Sequence, residues 1–499
     1  MQRCGLVTAV LLFWTCSLFA SDIDGHWRLL RHTDDGNTLE IFLDLKQQGP
    51  RLTGMLLVDW GDLPISDGSV NGDEVSFTVG DDPSSAFRFS GEIKGNEMRL
   101  LQYDPNVGSF PISAIRMASD EPVSPSRLPL PELHVVQDNG LVRTPPMGWN
   151  SWNFFHDKID DVIVRQIADT IVATGMRDAG YVYLNIDDTW EGSRDASGYI
   201  RPNKKFPDIK SLADYVHSKG LKLGIYSSPG PKTCGGYQGS YGHEEEDAKT
   251  FAGWGIDYLK YDWCSAFRVY KDSEMRAVYQ KMGDALRRTG RPIVYSLCQY
   301  GRDDVWKWGD LVGGNLWRAT DDIRDNASSM VANAEAEADL ASWVKPGHWN
   351  DPDMLEIGNG GMSADEYRTH MTFWSILAAP LIAGNDLRHM TPETLGILTN
   401  PEVIAIDQDP LGKQGRRIRK QGEVEIWLRP LTGGAVAIAI LNLGTGDASI
   451  TTRWEDVGIP DVQSVRDLWA RHDLPRDSAG YSAIVKAHGA VLIRLQRKQ

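Results

Sequence analysis

The sequence predicts an α/β protein: a (β/α)8 TIM barrel in mid-chain, an all-β domain before it and an antiparallel β-sandwich after it. Three observations carry this reading. Between Thr144 and Pro410 short apolar runs recur roughly every 25 to 40 residues, the interval expected when each strand is followed by a helix. Several of those runs end in bare polar groups: Asp187-Asp188, Asp262, Cys298-Gln299, Asp321-Asp322 and the stretch Asn350 to Met354. A parallel barrel gathers such residues at its C-terminal face. On either side of this region the pattern changes to the period of two that marks strands with one buried face.

Taken in order, residues 1–20 read as an export signal. Arg3 supplies the positive start, Leu6 to Phe19 the apolar stretch and Ala20 the small residue before the cut. A secreted or periplasmic protein is expected, with no membrane attachment after cleavage. Residues 21–117 alternate apolar and polar positions between glycine turns, with strands expected at Leu39–Leu45, Leu52–Asp59, Glu74–Val79, Phe87–Ile93 and Met98–Tyr103. A small antiparallel barrel or sandwich follows, serving as a structural cap or a carbohydrate-binding module. Residues 118–139 hold Pro122, Pro125, Pro129 and Pro131 and read as a semi-rigid linker.

The barrel is expected over 140–412, with eight strands near positions 147, 182, 222, 257, 293, 315, 348 and 380. Ile159, Ile163, Ile167 and Ile171, four apart, predict the face of the first long helix. A doubly wound sheet is the competing fold, but no glycine-rich phosphate loop follows the first strand. Residues 413–499 lose the helical period, and Glu423–Leu428, Ala435–Leu441 and Ala490–Leu495 read as strands, with Gly433-Gly434 turning a hairpin.

A net charge of -16 argues against a nucleic-acid or anionic-membrane partner. It leaves neutral substrates open. The eleven His are scattered and none pairs with Cys at ligand spacing, so neither metal nor cofactor is expected. With Cys4 and Cys16 removed in the signal, three cysteines remain, enough for one disulfide and one thiol. Cys234 follows one expected strand and Cys264 ends the next, which brings them together at the barrel rim and leaves Cys298 free.

Asp262 and the pair Asp321-Asp322 place carboxylates on different strands of one face. Glycoside hydrolysis uses such a pair: one carboxylate attacks the anomeric carbon and the other donates a proton to the leaving oxygen. A single aspartate at a strand end more often caps a helix. Trp, Tyr, Arg and Lys at the neighbouring strand ends turn the balance toward an active site.

From about Gly140 to Gln414 the chain resembles glycoside hydrolase family 27, the melibiase-type α-galactosidases. The matching stretches are Arg143 to Asn153, Tyr183 to Trp190, His217 to Tyr226, Leu259 to Cys264, Trp349 to Leu355 and Ile404 to Gln414, in family order. The resemblance implies a retaining exo-glycosidase acting on terminal α-D-galactosyl groups through a covalent intermediate. It makes Asp262 the nucleophile and Asp322, rather than Asp321, the acid/base. Asp187 and Asp188 would bind the sugar's 4- and 6-hydroxyls, Lys260 its 3- and 4-hydroxyls, and Arg318 its 2-hydroxyl. Trp152 would form an apolar wall, Tyr226 would orient the nucleophile and Met354 would pack at the pocket floor. Cys298, Gln299 and Tyr300 would complete the contacts, and Cys234–Cys264 matches a family disulfide.

Two departures stand out. The fifth strand ends Cys298-Gln299-Tyr300-Gly301 where relatives usually read Cys-Glu-Trp-Gly, and Thr189 stands where many carry a second disulfide cysteine. The first keeps sibling specificities open: β-L-arabinopyranosidase, α-glucan exo-hydrolase or α-N-acetylgalactosaminidase. A non-catalytic sugar-binding protein is the alternative of another class. Retention implies that the Asp262 and Asp322 carboxyl groups lie about 5 to 5.5 Å apart.

Overall fold

The structure, a computed structural model, describes residues 23–80, 82, 86–105, 108–455, 457–459, 462–475 and 479–497. The expected export signal lies outside them. The chain divides into two compact units, one ending at Val123 and the other beginning at Ser124, with the short segment Asp34–Asn37 grouped in the second.

The first unit is a closed antiparallel barrel of eight strands in sequence order. They are β1 (Gly25–His32), β2 (Thr38–Gln48), β3 (Arg51–Val58), β4 (Gly61–Asn71), β5 (Glu74–Val79), β6 (Phe87–Lys94), β7 (Glu97–Asp104) and β8 (Gly108–Arg116). β1 pairs with β8 and closes the ring. Trp27, Leu43, Phe77, Phe89, Met98 and Leu100 point into its core, Phe77 stacking on Phe89 at 4.7 Å. Five of these strands match the expected ones. Of the other three, β4 explains itself best: pairing shifts on both of its edges break the alternation that sequence patterning depends on, and only Val70 of its residues is buried.

In the second unit the eight expected parallel strands are all present. They are β9 (Met147–Asn150), β10 (Tyr183–Asn185), β13 (Lys222–Ser227), β14 (Tyr258–Asp262), β15 (Val294–Cys298), β16 (Leu316–Arg318), β17 (Trp349–Asp351) and β18 (Leu381–Ala383). A two-stranded hairpin, β11 (Glu191–Arg194) and β12 (Ile200–Pro202), is inserted after β10. The sheet order is β17-β16-β15-β14-β13-β10-β9-β18, and a parallel bridge from Leu355 to Ala383 joins its two ends. Helices α1 (Trp152–Phe155), α2 (Asp161–Ala173), α3 (Met176–Ala179), α4 (Ile209–Ser218), α5 (Glu244–Trp254), α6 (Met275–Arg288), α7 (Ala327–Ala336) and α8 (Ala364–Leu377) fall between strands. α9 (Pro392–Leu398) and α10 (Pro401–Asp407) follow the last strand. This is a TIM-type architecture, with strands such as β15 buried along their whole length, as burial on both faces requires.

α2 shows how far the isoleucine spacing reached. Asp160 caps it by accepting from Ile163 N at 2.8 Å. Val164, Ile167 and Ile171 are buried, whereas Ile163 sits at the flank and Ile159 precedes the cap. Steps of four overshoot the helical repeat, so a row of such positions drifts around the helix rather than staying on one stripe.

The proline-rich stretch is docked rather than spanning open solvent. Leu128 N donates to Tyr241 Oη at 2.8 Å, Val136 N to Leu311 O at 2.8 Å, and Asn139 Nδ2 to Asn315 Oδ1 at 2.8 Å.

After the barrel come β19 (Arg416–Gln421), β20 (Val424–Pro430), β21 (Val436–Asn442), β22 (Ala448–Arg453), β23 (Val462–Asp467), β24 (His472–Leu474), β25 (Gly480–Val485) and β26 (Ala490–Arg497). They form a six-stranded and a two-stranded antiparallel sheet. α8 is buried on nearly every side because β20, β21 and β26 cover the face turned away from the barrel. Among the described residues no helix is long and apolar enough to cross a membrane.

Candidate active site

β14 delivers Asp262 to the C-terminal rim, where the side chain is only 4% exposed. Each carboxylate oxygen is held by a phenol. Tyr226, on β13, donates to Oδ2 at 3.2 Å, and Tyr300, just past β15, donates to Oδ1 at 2.8 Å. Burial pushes the Asp262 carboxyl up to about 6, with Asp322 adding to the rise, while Lys260 and the Tyr300 bond pull the other way. The carboxylate also abuts a disulfide: Cys234 and Cys264 are bonded, and their sulfurs and an Asp262 oxygen lie within 4.8 Å of one another. Cys298 is the free, buried thiol, as the cysteine count implied.

On β10's side, Asp187 Oδ2 accepts from Lys260 Nζ at 2.8 Å and from Asn150 Nδ2 at 2.7 Å. Lys260 therefore bridges the two strand ends. Burial works against its charge, but Asp187, Cys298 and Asp262 outweigh burial and raise the ammonium well above its ordinary range. Asp188 Oδ2 accepts from Gly235 N at 2.6 Å and Oδ1 from Thr189 N at 2.6 Å. Burial lifts Asp188 to about 6. Thr189 adopts φ +80°, a left-handed conformation costly for a β-branched residue. Its N–H is shared with Glu191 Oε2 at 3.0 Å, and its hydroxyl accepts from Lys205 Nζ at 2.9 Å. Burial first, then Asp188, push Glu191 well above the ordinary carboxylate range.

β16 ends in Arg318, which is almost fully buried. Its Nη2 lies 3.0 Å from Asp322 Oδ1 and 3.0 Å from Asp353 Oδ2, and its guanidinium sits 5.5 Å from the Tyr300 ring centroid. Asp322 differs from Asp262 in one decisive respect: its side chain is 73% open to solvent. The protein around it works to raise its carboxyl, but Arg318 and Lys260 prevail and hold it below the usual range. Asp321 is exposed, and its backbone oxygen accepts from Asn333 Nδ2 at 2.9 Å.

Asn150, Asn185, Lys260, Arg318, Asp351 and Met354 line a small cavity that reaches down among the strands to Tyr258, Ser296 and Ile382. Trp152, on α1, is half-buried, its backbone N–H donating to Asn150 Oδ1 at 2.8 Å. Gln299 is fully enclosed, with neither amide atom hydrogen-bonded among the described residues.

The structure thus gathers the predicted residues along the barrel rim. It adds four that sequence reasoning did not single out: Asn150, Asp351, Asp353 and Glu191. Asp353 anchors Arg318, and its φ of +91° lets Oδ1 accept from Met354 N at 2.8 Å while Oδ2 accepts from Ile323 N at 2.8 Å. The signal was present in Asn350-Asp351-Pro352-Asp353, a run of carboxylates around a proline at a strand end.

The family model described as "Alpha galactosidase A" matches residues 144–409, and that described as "Alpha galactosidase C-terminal beta sandwich domain" matches residues 421–495. The chain is 46% identical over 372 residues to "Alpha-galactosidase 2" of Arabidopsis thaliana, covering 73% of this chain and 92% of that protein. It is 49% identical over 356 residues to the α-galactosidase of Coffea arabica, covering 70% and 93%. Among solved structures, α-galactosidase I from Mortierella vinacea superposes with a TM-score of 0.69 at 38% identity, over 72% of this chain and 99% of that one.

Proposed function

This chain belongs to glycoside hydrolase family 27, the melibiase-type α-galactosidases, and from that premise we propose that it is a retaining exo-glycosidase removing terminal α-D-galactosyl groups. The observation that carries the mechanism is the contrast between the two rim aspartates. Asp262 is enclosed and gripped on both oxygens, whereas Asp322 stands open to solvent. A nucleophile must be fixed in place and kept dry, and an acid/base must reach first the leaving group and then water.

In this reading Asp262 attacks the anomeric carbon as the glycosidic bond breaks, and Asp322 gives its proton to the departing oxygen. Asp322 then removes a proton from water, which releases the sugar from the Asp262 ester with retained configuration. Lys260, Asp187 and Asp188 form a charged edge for the sugar's 3-, 4- and 6-hydroxyls, with Arg318 toward the 2-hydroxyl. Trp152 provides the wall and Met354 the floor. A charged donor or acceptor left unmatched in such a site is costly, so an equatorial 4-hydroxyl should be rejected strongly. Cys298 backs this shell through its contact with Arg318 Nη1 at 3.8 Å.

A panel of nitrophenyl glycosides tests the reading. The α-galactoside should be cleaved on the order of 10³-fold better than the α-glucoside, and nuclear magnetic resonance should show the α-anomer of galactose formed first. Preference for the β-L-arabinopyranoside, or a β-anomer as first product, would sink the assignment.

Free-enzyme protonation also predicts a pH profile. Burial holds Asp262 up at about 6 while Arg318 keeps Asp322 low, so the single proton the reaction needs rests mostly on the wrong carboxyl. The reactive form carries one proton on the pair. That proton is retained below about 6 and lost above it, so kcat/KM should hold a plateau on the acid side and fall as pH rises past about 6. A profile still rising between pH 6 and pH 8 would contradict this. Export to a periplasmic or extracellular space, from the reading of residues 1–20, is part of the same proposal; fractionation of cells expressing the full chain tests it.

A further inference from the structure

The departure at the end of β15 has a physical consequence at Asp262. Tyr300 adopts φ +61° and Gly301 φ +72°, consecutive left-handed residues that turn the chain sharply as it leaves the strand. Gly301 N donates to Arg318 O at 3.0 Å, and a Cβ on Gly301 would lie 2.6 Å from Ala319 O, so the turn is pressed against the end of β16 and admits only glycine there. With the backbone pinned, the Tyr300 side chain is aimed at Asp262. Its ring lies beside the Arg318 guanidinium and its hydroxyl reaches Asp262 Oδ1 at 2.8 Å. The left-handed conformation of a bulky residue is strained, and it persists here where it places a hydroxyl on a reacting atom.

We propose that Tyr300 is a positioning residue for the nucleophile, its hydroxyl forming with that of Tyr226 a two-sided clamp that holds the Asp262 carboxylate ionised and turned for attack. The inference rests on the reading of Asp262 as nucleophile. It assigns Tyr300 to the carboxylate instead of to the sugar. Tyr300 keeps its proton throughout. When an Asp262 oxygen bonds the anomeric carbon and the glycosidic bond breaks, the clamp passes from an anion to an ester, a weaker acceptor. When water attacks and the ester bond breaks, the electron pair returns to Asp262 and the hydrogen bond strengthens again. The clamp therefore favours the free carboxylate and its departure in the second step.

Other groups facing Asp262 are Lys260 on its own strand, Tyr226 on β13, Asp187 beyond β10, Cys298 on β15, Arg318 and Asp322 at the end of β16, and Tyr279 on α6. Tyr300→Phe leaves all of these in place and keeps the ring. Losing a donor to the charged form raises the Asp262 carboxyl, so the high-pH limb of kcat/KM should move up by about one unit, with kcat reduced roughly tenfold. A fluorinated tyrosine at the same position is a stronger donor and should move the limb down. It serves as the second variant if Phe disturbs the fold. A limb unmoved in Tyr300→Phe would overturn the inference whatever happens to the rate, because a ring that only packs or touches sugar leaves that limb alone. If the α-galactoside is still cleaved after Asp262→Asn, the reading beneath it falls as well. An unmoved limb with Asp262→Asn inactive removes only the clamp.

Discussion

Asp262→Asn is expected to abolish hydrolysis of the α-galactoside, with kcat reduced on the order of 10⁴-fold or more, as when other enzymes lose their nucleophile. Added azide should restore turnover by attacking the anomeric carbon directly, giving the β-galactosyl azide. Steady-state rates and the anomeric configuration of the azide check this. An α-azide, or residual activity within tenfold of wild type, would mean another group attacks.

The same substitution should not weaken the fold. Burial raises the Asp262 carboxyl from 3.8 to about 6, so the folded state binds its proton more tightly than the unfolded chain does. Stability from this group is fully present below about 4 and declines as pH rises to about 6. Two units correspond to about 3 kcal/mol withheld at neutral pH. Asparagine carries no such charge. Thermal unfolding of the variant should lie at or above wild type at pH 7, with the difference vanishing near pH 4. A lower unfolding temperature at pH 7 would count against the burial argument.

Asp322→Asn carries the second large effect, and its size should depend on the leaving group. A nitrophenol needs little protonation, so kcat/KM on that substrate should drop by no more than about tenfold. An alkyl or sugar leaving group needs the proton, and there the loss should reach about 10³-fold. The ester then hydrolyses slowly for want of a base, and azide should accelerate turnover to give the α-galactosyl azide. Because Asp322 is 73% exposed, its pairing with Arg318 is screened by solvent and only a small loss of stability should accompany the substitution. Asp321→Asn, altering a neighbour whose described contact runs through its backbone oxygen, should stay close to wild type. Equal losses on both substrate types would remove Asp322 from the acid/base role.

Arg318 connects the two aspartates' behaviour. In the free protein it pairs with Asp322 and Asp353 together, which leaves the intended acid ionised. Sugar binding that draws the guanidinium toward a hydroxyl would loosen the first pair while Asp353 keeps the arginine from leaving. The buried partner thus fixes the arginine, and the exposed partner is the one free to exchange.

Period and strand-end chemistry in the sequence were enough to determine the barrel, its eight strands and the sandwich behind it. A parallel strand buried on both faces writes a continuous apolar run that ends in its functional residue, so position in the chain already implies position on the rim. The carboxylates were legible for the same reason, and the free cysteine from the odd count of three. β4 was not, since bulges erased its alternation, nor was the closure of the first barrel, which depends on β1 meeting β8 across the whole unit. Only the tertiary structure decided that Tyr300 reaches Asp262, that Asp353 anchors Arg318, and that one rim aspartate is enclosed while the other stands open. Each of these depends on a left-handed backbone turn or on burial by residues far apart in the chain. Local patterning records what a residue is and which face it occupies, whereas hydrogen-bond partners and solvent access arise only when distant segments pack together.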